Sequence, residues 1–303
     1  MTMRGKLRRP PTVKLRGDSI RSVESTKVLG VVLDTALSFV GHANSIGQRA
    51  AVCFGKVSRV SASSWGVRYR ALKVLYWGTF VATITYAAAC WFERLSQYAV
   101  RSAVLRAQRP ALILLTKAYR TTSTAALPVL GGVLPADLEV IRAGRVDMLR
   151  EGAAGPEMRK HKRDILDEVV TLWQKRWQEE QKGRELYRFF PSVSARLKAT
   201  WVEPDYETSQ ILGGHGCFRK RLNDLKLCET SVCYCGEEDE DLHHVLWFCP
   251  LYEEARKRLL DGITREEPGP VYYCDLVDSE ANFGRLRAFA REWHRIRSRL
   301  ERS

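Results

Sequence analysis

The stretch that decides how this chain is organised is CETSVCYCGEEDEDLHHVLWFCP, residues 228–250. It holds four of the chain's eight cysteines and two of its six histidines. Zinc prefers four tetrahedral ligands drawn from thiolate and imidazole. The spacing C-x-C-x8-H-x4-C therefore predicts a structural Zn²⁺ site, closed by protein ligands alone, at Cys233, Cys235, His244 and Cys249.

Two alternatives to this ligand set remain open at the level of sequence. A C-x-C pair is tighter than the usual C-x-x-C, so Cys228 or His243 could replace one of the four residues. The cysteines could also be reduced thiols that pack as small apolar groups. Clustered Cys and His, in a chain whose N-terminus lacks the apolar core of a secretory signal, indicate a metal rather than disulfides.

Positive charge is concentrated in the first half of the chain. The formal net charge is +14 over 303 residues. Residues 40–120 carry twelve Lys or Arg and one acid, a balance of +11, whereas residues 228–250 carry six acids and no Lys or Arg. This distribution favours a polyanion, and most of all nucleic acid, as the partner of the first half. The alternative is a solvated basic helical surface without a specific role.

The periodicity predicts a mostly α-helical protein with a small β portion. Short strands are expected in TVKL, SIRSV and KVLGVVLD, the last as one continuous strand over residues 27–34. Helices are expected over 42–62, 67–92, 97–119, 137–151, 160–182, 251–260 and 279–300. We expect Pro110 to kink or restart the third helix and Asp137 to cap the fourth. The 19 uncharged residues 74–92 have the length of a membrane span, but two internal tyrosines favour a packed core.

Motifs of catalysis are missing from the sequence. There is no G-x-S-x-G elbow, no P-loop and no G-x-G-x-x-G. No two aspartates are adjacent, although two-metal nucleotidyl transfer needs a cluster of carboxylates. The residues alone therefore predict a basic helical body with a small zinc module and no active site.

Several longer segments nevertheless form a recognisable series. RRPPTVKLRGDSIRSVESTKVLGVVLD (8–34), ITYAAACWFERL (84–95) and AYRTTSTAALPVLGGVLPADL (118–138) are followed by GGHGCFRKRL (213–222) and CYCGEEDEDLHHVLWFCP (233–250). In content and order they resemble the segments that follow the catalytic motif in non-LTR (LINE-type) retrotransposon Pol polyproteins. The site-specific elements that insert into ribosomal RNA genes are the most similar. Val28 stands where that family usually has Tyr, and His243 where it usually has Glu.

The resemblance implies a fold and an activity that composition cannot give. The parent protein would combine an RNA-directed DNA polymerase, which is a nucleotidyltransferase, with an endonuclease, and would act in the nucleus by target-primed reverse transcription. Its partners would be an RNA template and a DNA primer or target, with no membrane. The catalytic carboxylates and their Mg²⁺ would lie outside this chain, which alone would be inactive. The implied domains are the last palm strands (1–37), a helical thumb (38–125), a helical linker (126–204) and a C-terminal zinc-knuckle domain (205–303).

Within this scheme the zinc ligands carry over as Cys233, Cys235, His244 and Cys249. The thumb would bind a template–primer duplex through its phosphates. The tail would add contacts beside the cysteine-rich stretch 228–250, which we call the metal loop. The candidate residues are Arg49, Lys56, Arg59, Arg68, Lys73, Arg101, Arg106, Arg109, Arg219, Lys220 and Arg221. The alternative function is a stand-alone zinc-stapled module that binds nucleic acid or a protein, without enzymatic activity. The oligomeric state stays open.

Overall fold

Short helices dominate the structure, a computed structural model that describes residues 1, 13–61, 66–149, 155–265 and 269–302. Its strands are β1 (Val13–Leu15), β2 (Asp18–Ile20), β3 (Ser25–Val28) and β4 (Val31–Asp34). Its first seven helices are α1 (Val40–Gly55), α2 (Tyr69–Leu75), α3 (Ala82–Ile84), α4 (Tyr98–Thr116), α5 (Ala126–Gly131), α6 (Ala136–Met148) and α7 (Gly155–Glu179). The others are α8 (Arg184–Phe189), α9 (Val193–Lys198), α10 (Tyr206–Gly213), α11 (Arg219–Asp224), α12 (Glu253–Leu260) and α13 (Glu280–Leu300). The prediction of a mostly helical chain with a small β portion is confirmed.

The chain divides into two compact units. The first comprises Met1–Lys56, Leu75–Ala111 and Pro135–Val169. The second comprises Val57–Val74, Leu112–Leu134 and Val170–Ser303, and it contains the whole of the cysteine-rich stretch. The division at 37, 125 and 204 that the family resemblance implies stays a prediction.

The strands of the first unit form two separate antiparallel hairpins. β1 pairs with β2, and all six of their residues are exposed. β3 pairs with β4, so KVLGVVLD is a hairpin and the prediction of one continuous strand was wrong. The reversal lies at Leu29 and Gly30, which both have positive φ (45° and 87°), as a two-residue type I′ turn requires. Thr12, the start of the first predicted strand, lies outside the described residues.

The core of the first unit forms around α1. Its residues Ile46, Ala50 and Phe54 are buried, as the periodicity predicts. The rings of Tyr76 and Phe80 stack at 5.2 Å, and Phe54 meets Tyr76 edge-on. Gly47 allows a close approach, because a Cβ there would lie 3.0 Å from the Cβ of Ala107.

Two helix predictions in this part of the chain need correction. The helix predicted over 67–92 is interrupted: α2, a π-helical turn (Tyr76–Val81) and α3 run to Ile84, and Ala87 then adopts a φ of 50°. Short 3₁₀ turns complete the segment, and residues 62–65 lie outside the described ranges. α4 continues through Pro110, so a restart of that helix at the proline was wrong.

The predicted cap of α6 was also wrong. Asp137 is a buried residue of the first turn, and the N-cap is Pro135, which has no side-chain cap bond. The amide of Ala136 donates instead to Oε1 of Gln108, at 2.9 Å. A side chain distant in sequence therefore satisfies one of the amides that a helix leaves unpaired at its start.

The second unit packs around α10 and α13. Ser279 caps α13 by accepting from the amide of Asn282, and Leu286, Phe289 and Trp293 are buried along it, which confirms the predicted terminal helix. Trp293 stacks on Phe218 with ring centroids 4.8 Å apart. No helix in the described part of the chain is long and apolar enough to cross a membrane.

Candidate metal centre

The structure brings together the four residues that the ligand spacing selects. The ligand atoms of Cys233, Cys235, His244 and Cys249 all lie within 4.8 Å of one another. Sγ of Cys233 is 3.6 Å from Sγ of Cys249, and Sγ of Cys235 is 3.3 Å from Nε2 of His244. A tetrahedral zinc with Zn–S bonds of about 2.3 Å would place two thiolates about 3.8 Å apart. The arrangement therefore fits such an ion after a small adjustment.

The first two ligands belong to a tight hairpin. The amide of Cys233 donates to the carbonyl of Glu238 (2.7 Å), and the amide of Gly236 donates back to the carbonyl of Cys233 (2.9 Å). Gly236 has a φ of 83°, a conformation that glycine adopts without steric cost. The turn directs both thiols of the C-x-C pair to one side even though the pair is a residue shorter than usual.

The other two ligands are brought together by a π-helical turn, His244–Phe248. The amide of Cys249 donates to the carbonyl of His244 at 2.8 Å, a bond across five residues. In a regular α-helix residues i and i+5 point about 140° apart, whereas the wider π turn places them nearly above one another. The H-x4-C spacing is therefore matched by the local backbone.

Neighbouring side chains stabilise this π turn. Arg256 of α12 donates from Nε to the carbonyl of Leu246 (2.9 Å) and from Nη2 to that of Cys249 (2.7 Å). Asp241 accepts from the amide of His244 at 2.9 Å. The backbone groups that the irregular turn leaves unpaired thus find partners within the module.

The centre is enclosed and its electrostatics suit a cation. Cys233, His244 and Cys249 are 3%, 2% and 0% exposed. The close Cys249 thiol and burial raise the pKa of the Cys233 thiol, and a divalent cation would reverse this by favouring thiolates. A carboxylate oxygen of Glu238 lies 3.5 Å from Nδ1 of His244 without forming a hydrogen bond, and among the described residues this ring nitrogen has no hydrogen-bond partner.

The two residues held as alternative ligands lie elsewhere. Sγ of Cys228 donates to the carbonyl of Thr230 at 3.1 Å. Nδ1 of His243 is 2.7 Å from the hydroxyl of Tyr273. Neither belongs to the cluster, which is the one group of metal-ligating geometry among the described residues. The geometry therefore favours His244 over His243 and Cys233 over Cys228.

A buried ion pair that the sequence did not reveal attaches the metal loop to α13. Nε of Arg297 lies 3.2 Å and 3.4 Å from the two carboxylate oxygens of Glu240. Glu240 also accepts from the amide of Arg219, at 3.0 Å. Both side chains of the pair are almost fully buried, Arg297 at 2% and Glu240 at 0% exposed. Because the two residues are 57 positions apart, only a long-range contact map could have shown the pairing.

The candidate cations of the tail are occupied by local partners. Lys220 lies 3.1 Å from Asp241 and 3.7 Å from Asp239. The guanidinium of Arg219 stacks over the ring of Tyr234 at 4.4 Å, and Arg221 is 3.8 Å from Asp224. The two ion pairs of Lys220 neutralise part of the acidic loop.

Most candidate cations of the first half face solvent. Five are exposed, and two, Arg101 and Arg109, are half-buried; the exposed ones are Arg49, Lys56, Arg59, Arg68 and Arg106. Lys73 differs, because it donates to the carbonyl of Gly132 at 3.1 Å. Burial, with a smaller effect of Arg196, lowers the pKa of Lys73 to about 8. Contact with nucleic acid stays a prediction for all of them.

Comparison with known proteins places the chain in a family. It is 32% identical over 305 residues to a Retrovirus-related Pol polyprotein from type-1 retrotransposable element R1 4 of Nasonia vitripennis, and the match covers 95% of this chain and 76% of that protein. It is 31% identical over 307 residues to a Putative 115 kDa protein in type-1 retrotransposable element R1DM of Drosophila melanogaster. It is 32% identical over 308 residues to an R1 Pol polyprotein of Bradysia coprophila.

The extent of these matches differs between relatives. The chain spans 30% of the length of the Drosophila and Bradysia proteins. No protein-family model matches the chain, and no solved structure is similar to it. Because relatives at or above 30% identity are covered over more than two thirds of their length, the chain belongs to the Pol polyproteins of R1-type non-LTR (LINE-type) retrotransposable elements.

Proposed function

We propose that this chain is the C-terminal, nucleic-acid-holding part of an R1-type Pol polyprotein. The parent would carry out target-primed reverse transcription in the nucleus, with RNA-directed DNA polymerase and endonuclease activities. The observation that carries the proposal is the similarity to R1 Pol polyproteins over 95% of the chain. The order of the matching segments supports a location after the polymerase's catalytic motif.

The distribution of charge along the chain supports a role in duplex binding for its first half. The first half would grip the RNA–DNA duplex through phosphates, because that segment carries a balance of +11 and exposes most of its cations. The catalytic carboxylates and their Mg²⁺ would be supplied by other parts of the polyprotein. This chain alone would therefore bind template and primer without extending them.

The metal centre would have a structural role. Four protein ligands close a tetrahedral zinc site, and no fifth position is needed for a reacting water. When bound, Zn²⁺ would fix the hairpin of Cys233 and the π turn of His244 against each other. The flanking acids, several of them bonded to local cations, make the loop itself a poor surface for phosphate.

The salt dependence of binding to an RNA–DNA duplex tests the proposed phosphate contacts. A labelled RNA–DNA duplex is titrated with the full chain at several salt concentrations, and the dissociation constant is expected to rise steeply with salt. The comparison variant replaces five exposed cations by Gln: Arg49, Lys56, Arg59, Arg68 and Arg106. Each phosphate contact that is lost should reduce the salt slope by about 0.9. A salt-independent affinity, or a variant with the parent's slope, contradicts the assignment of the grip to these helices.

Metal content tests the structural role. Cys249→Ser removes a ligand, and Cys274→Ser is the matched control, because Cys274 is an exposed thiol outside the cluster. The parent and the control should each retain one zinc per chain after dialysis, and Cys249→Ser should retain less. Equal zinc in all three proteins contradicts the ligand set.

A further inference from the structure

A second concentration of positive charge lies in the first turns of α7, outside every candidate considered above. Arg159, Lys160, Lys162 and Arg163 are all exposed. Within the described parts of the chain none of the four takes part in an ion pair or side-chain hydrogen bond. Their neighbour His161 does have a partner, Glu157, at 3.6 Å. We call the four unpaired cations the α7 basic face.

The positions of the four cations on the α7 basic face follow from the helical repeat. Successive residues turn by 100°, so Arg159 and Arg163 lie one turn apart, about 6 Å along the axis. Lys162 and Lys160 flank them on either side. Arg159, Lys162 and Arg163 line a shallow, open depression together with Pro156. The four cations therefore cover about 160° of the helix circumference, with Arg159 and Arg163 near its middle.

Packing gives no reason for this charge. The apolar side of α7 is already buried, with Ile165 at 3% and Val169 at 0% exposed. Like charges one turn apart on a helix repel each other and weaken it slightly. Among the described residues the four cations form no ion pair or side-chain hydrogen bond that would stabilise the fold, so the feature points to an external anion.

The chemistry of the groups favours phosphate. Arginine presents a planar fork that binds two phosphate oxygens at once, and lysine adds a mobile point charge. A row of cations along a helix matches a polymer of evenly spaced phosphates, and none of the four side chains is an aromatic ring that could stack on bases. The occupant that fits is a nucleic-acid backbone read without regard to sequence.

We propose that the α7 basic face binds the phosphate backbone of the template–primer duplex and so adds a further grip, made by the segment between thumb and zinc module. The proposal rests on the proposed function but uses different residues. Binding would come from charge neutralisation and release of counterions, so it would be strongly dependent on salt.

The test compares two variants of the full chain that carry the same net charge. In the first, Arg159, Lys160, Lys162 and Arg163 become Gln. In the second, four other exposed cations become Gln: Lys175, Lys182, Lys198 and Arg265. Binding of a labelled RNA–DNA duplex is measured by fluorescence anisotropy between about 50 and 300 mM salt, a range over which the Debye length falls by more than half. Circular dichroism checks that the helix content of both variants equals that of the parent.

The first variant is expected to lose about 3 to 4 from the slope of log affinity against log salt, and about tenfold or more in affinity. The control should keep nearly the parent's slope. Equal losses in both variants would mean that only total charge matters, and an unchanged slope in the first would mean that the face binds no phosphate; either result overturns the proposal. Binding of each protein to polyglutamate is measured as well. If the first variant lost only its binding to polyglutamate, the partner would be an acidic protein, and the proposal would also be wrong.

These outcomes are separate from a failure of the proposed function. If the parent chain itself does not bind the duplex, the function assigned to the whole chain fails. If the parent binds and the five-cation variant of the first half loses slope while the α7 variant does not, only the α7 proposal fails.

Discussion

Replacement of Arg297 by Met should strongly destabilise the second unit. The guanidinium of Arg297 lies 3.2 Å from Glu240, and both groups are buried. Removal of the cation leaves a carboxylate in the interior with one remaining donor, the amide of Arg219. Breaking a buried ion pair from one side costs about 3 to 5 kcal/mol, because the charge that remains has lost both water and its partner.

Two measurements are made on the zinc-loaded chain: its unfolding in urea, and the rate of amide hydrogen exchange in residues 286–300. The exchange measurement reports on α13 directly, since the chain has two units and need not unfold in one step. Arg295→Met is the matched control, because Arg295 on the same helix is exposed and pairs with Glu292 at the surface. Exposed pairs contribute little, so the control should unfold almost as the parent does.

A double variant isolates the pair from other effects of the arginine. If the cost of Arg297→Met comes from the orphaned charge, then adding Glu240→Gln should restore most of the lost stability, since a neutral amide is far cheaper to bury. A loss below about 1 kcal/mol in Arg297→Met would refute the reasoning. So would a double variant as unstable as the single one.

Three further predictions concern other parts of the chain. Burial lowers the pKa of His42, whose Nδ1 accepts from the amide of Val32. The folded state should therefore lose stability relative to a His42→Gln variant as the pH falls below about 6.5. Equal changes in the urea midpoint of the two proteins between about pH 7.5 and 5.5 would contradict this. Gly132→Ala should cost about 2 kcal/mol in urea unfolding, because φ is 52° and a Cβ would lie 2.7 Å from Nη1 of Arg196, whereas the open site of Gly55 should accept Ala without loss. Chelation of the metal should make the three ligand thiols reactive toward a thiol reagent and speed amide exchange in α13; unchanged exchange would show that the loop holds its shape without metal.

The sequence predicted the features that depend on local pattern. The group that could hold a metal ion was predicted because three thiols and an imidazole clustered at this spacing are typical of a zinc site, and α13 was predicted because its apolar stripe repeats along the whole helix. The hairpin at Leu29 was missed because an apolar run with a single glycine is equally compatible with one buried strand. Positive φ at a leucine has no signal in the sequence, since leucine rarely adopts it.

Other features depend on contacts between distant residues, which cannot be recognised from the local patterns of a single sequence. The cap of α6 comes from Gln108, 28 residues earlier, so the usual rule pointed to the wrong residue, Asp137. The π turn at His244 depends on Arg256 to satisfy its carbonyls. The sequence pattern does not distinguish Glu240 from the other acids of its loop, although the structure buries it against Arg297. In each case a long-range partner overrode the local preference.

Two basic residues of the zinc module already have partners, which makes them poor candidates for phosphate contacts with a duplex. Lys220 is bonded to two acids of the metal loop, and Arg219 is stacked on Tyr234. A phosphate that approached either residue would have to displace these partners and would meet the remaining acids of the loop at short range. The exposed cations of the α7 basic face, such as Arg159 and Arg163, are subject to no such competition. Under the proposed function the zinc module would affect duplex binding only through the helices that it stabilises, so substitutions at its candidate ligands should lower duplex affinity only as far as they unfold the tail.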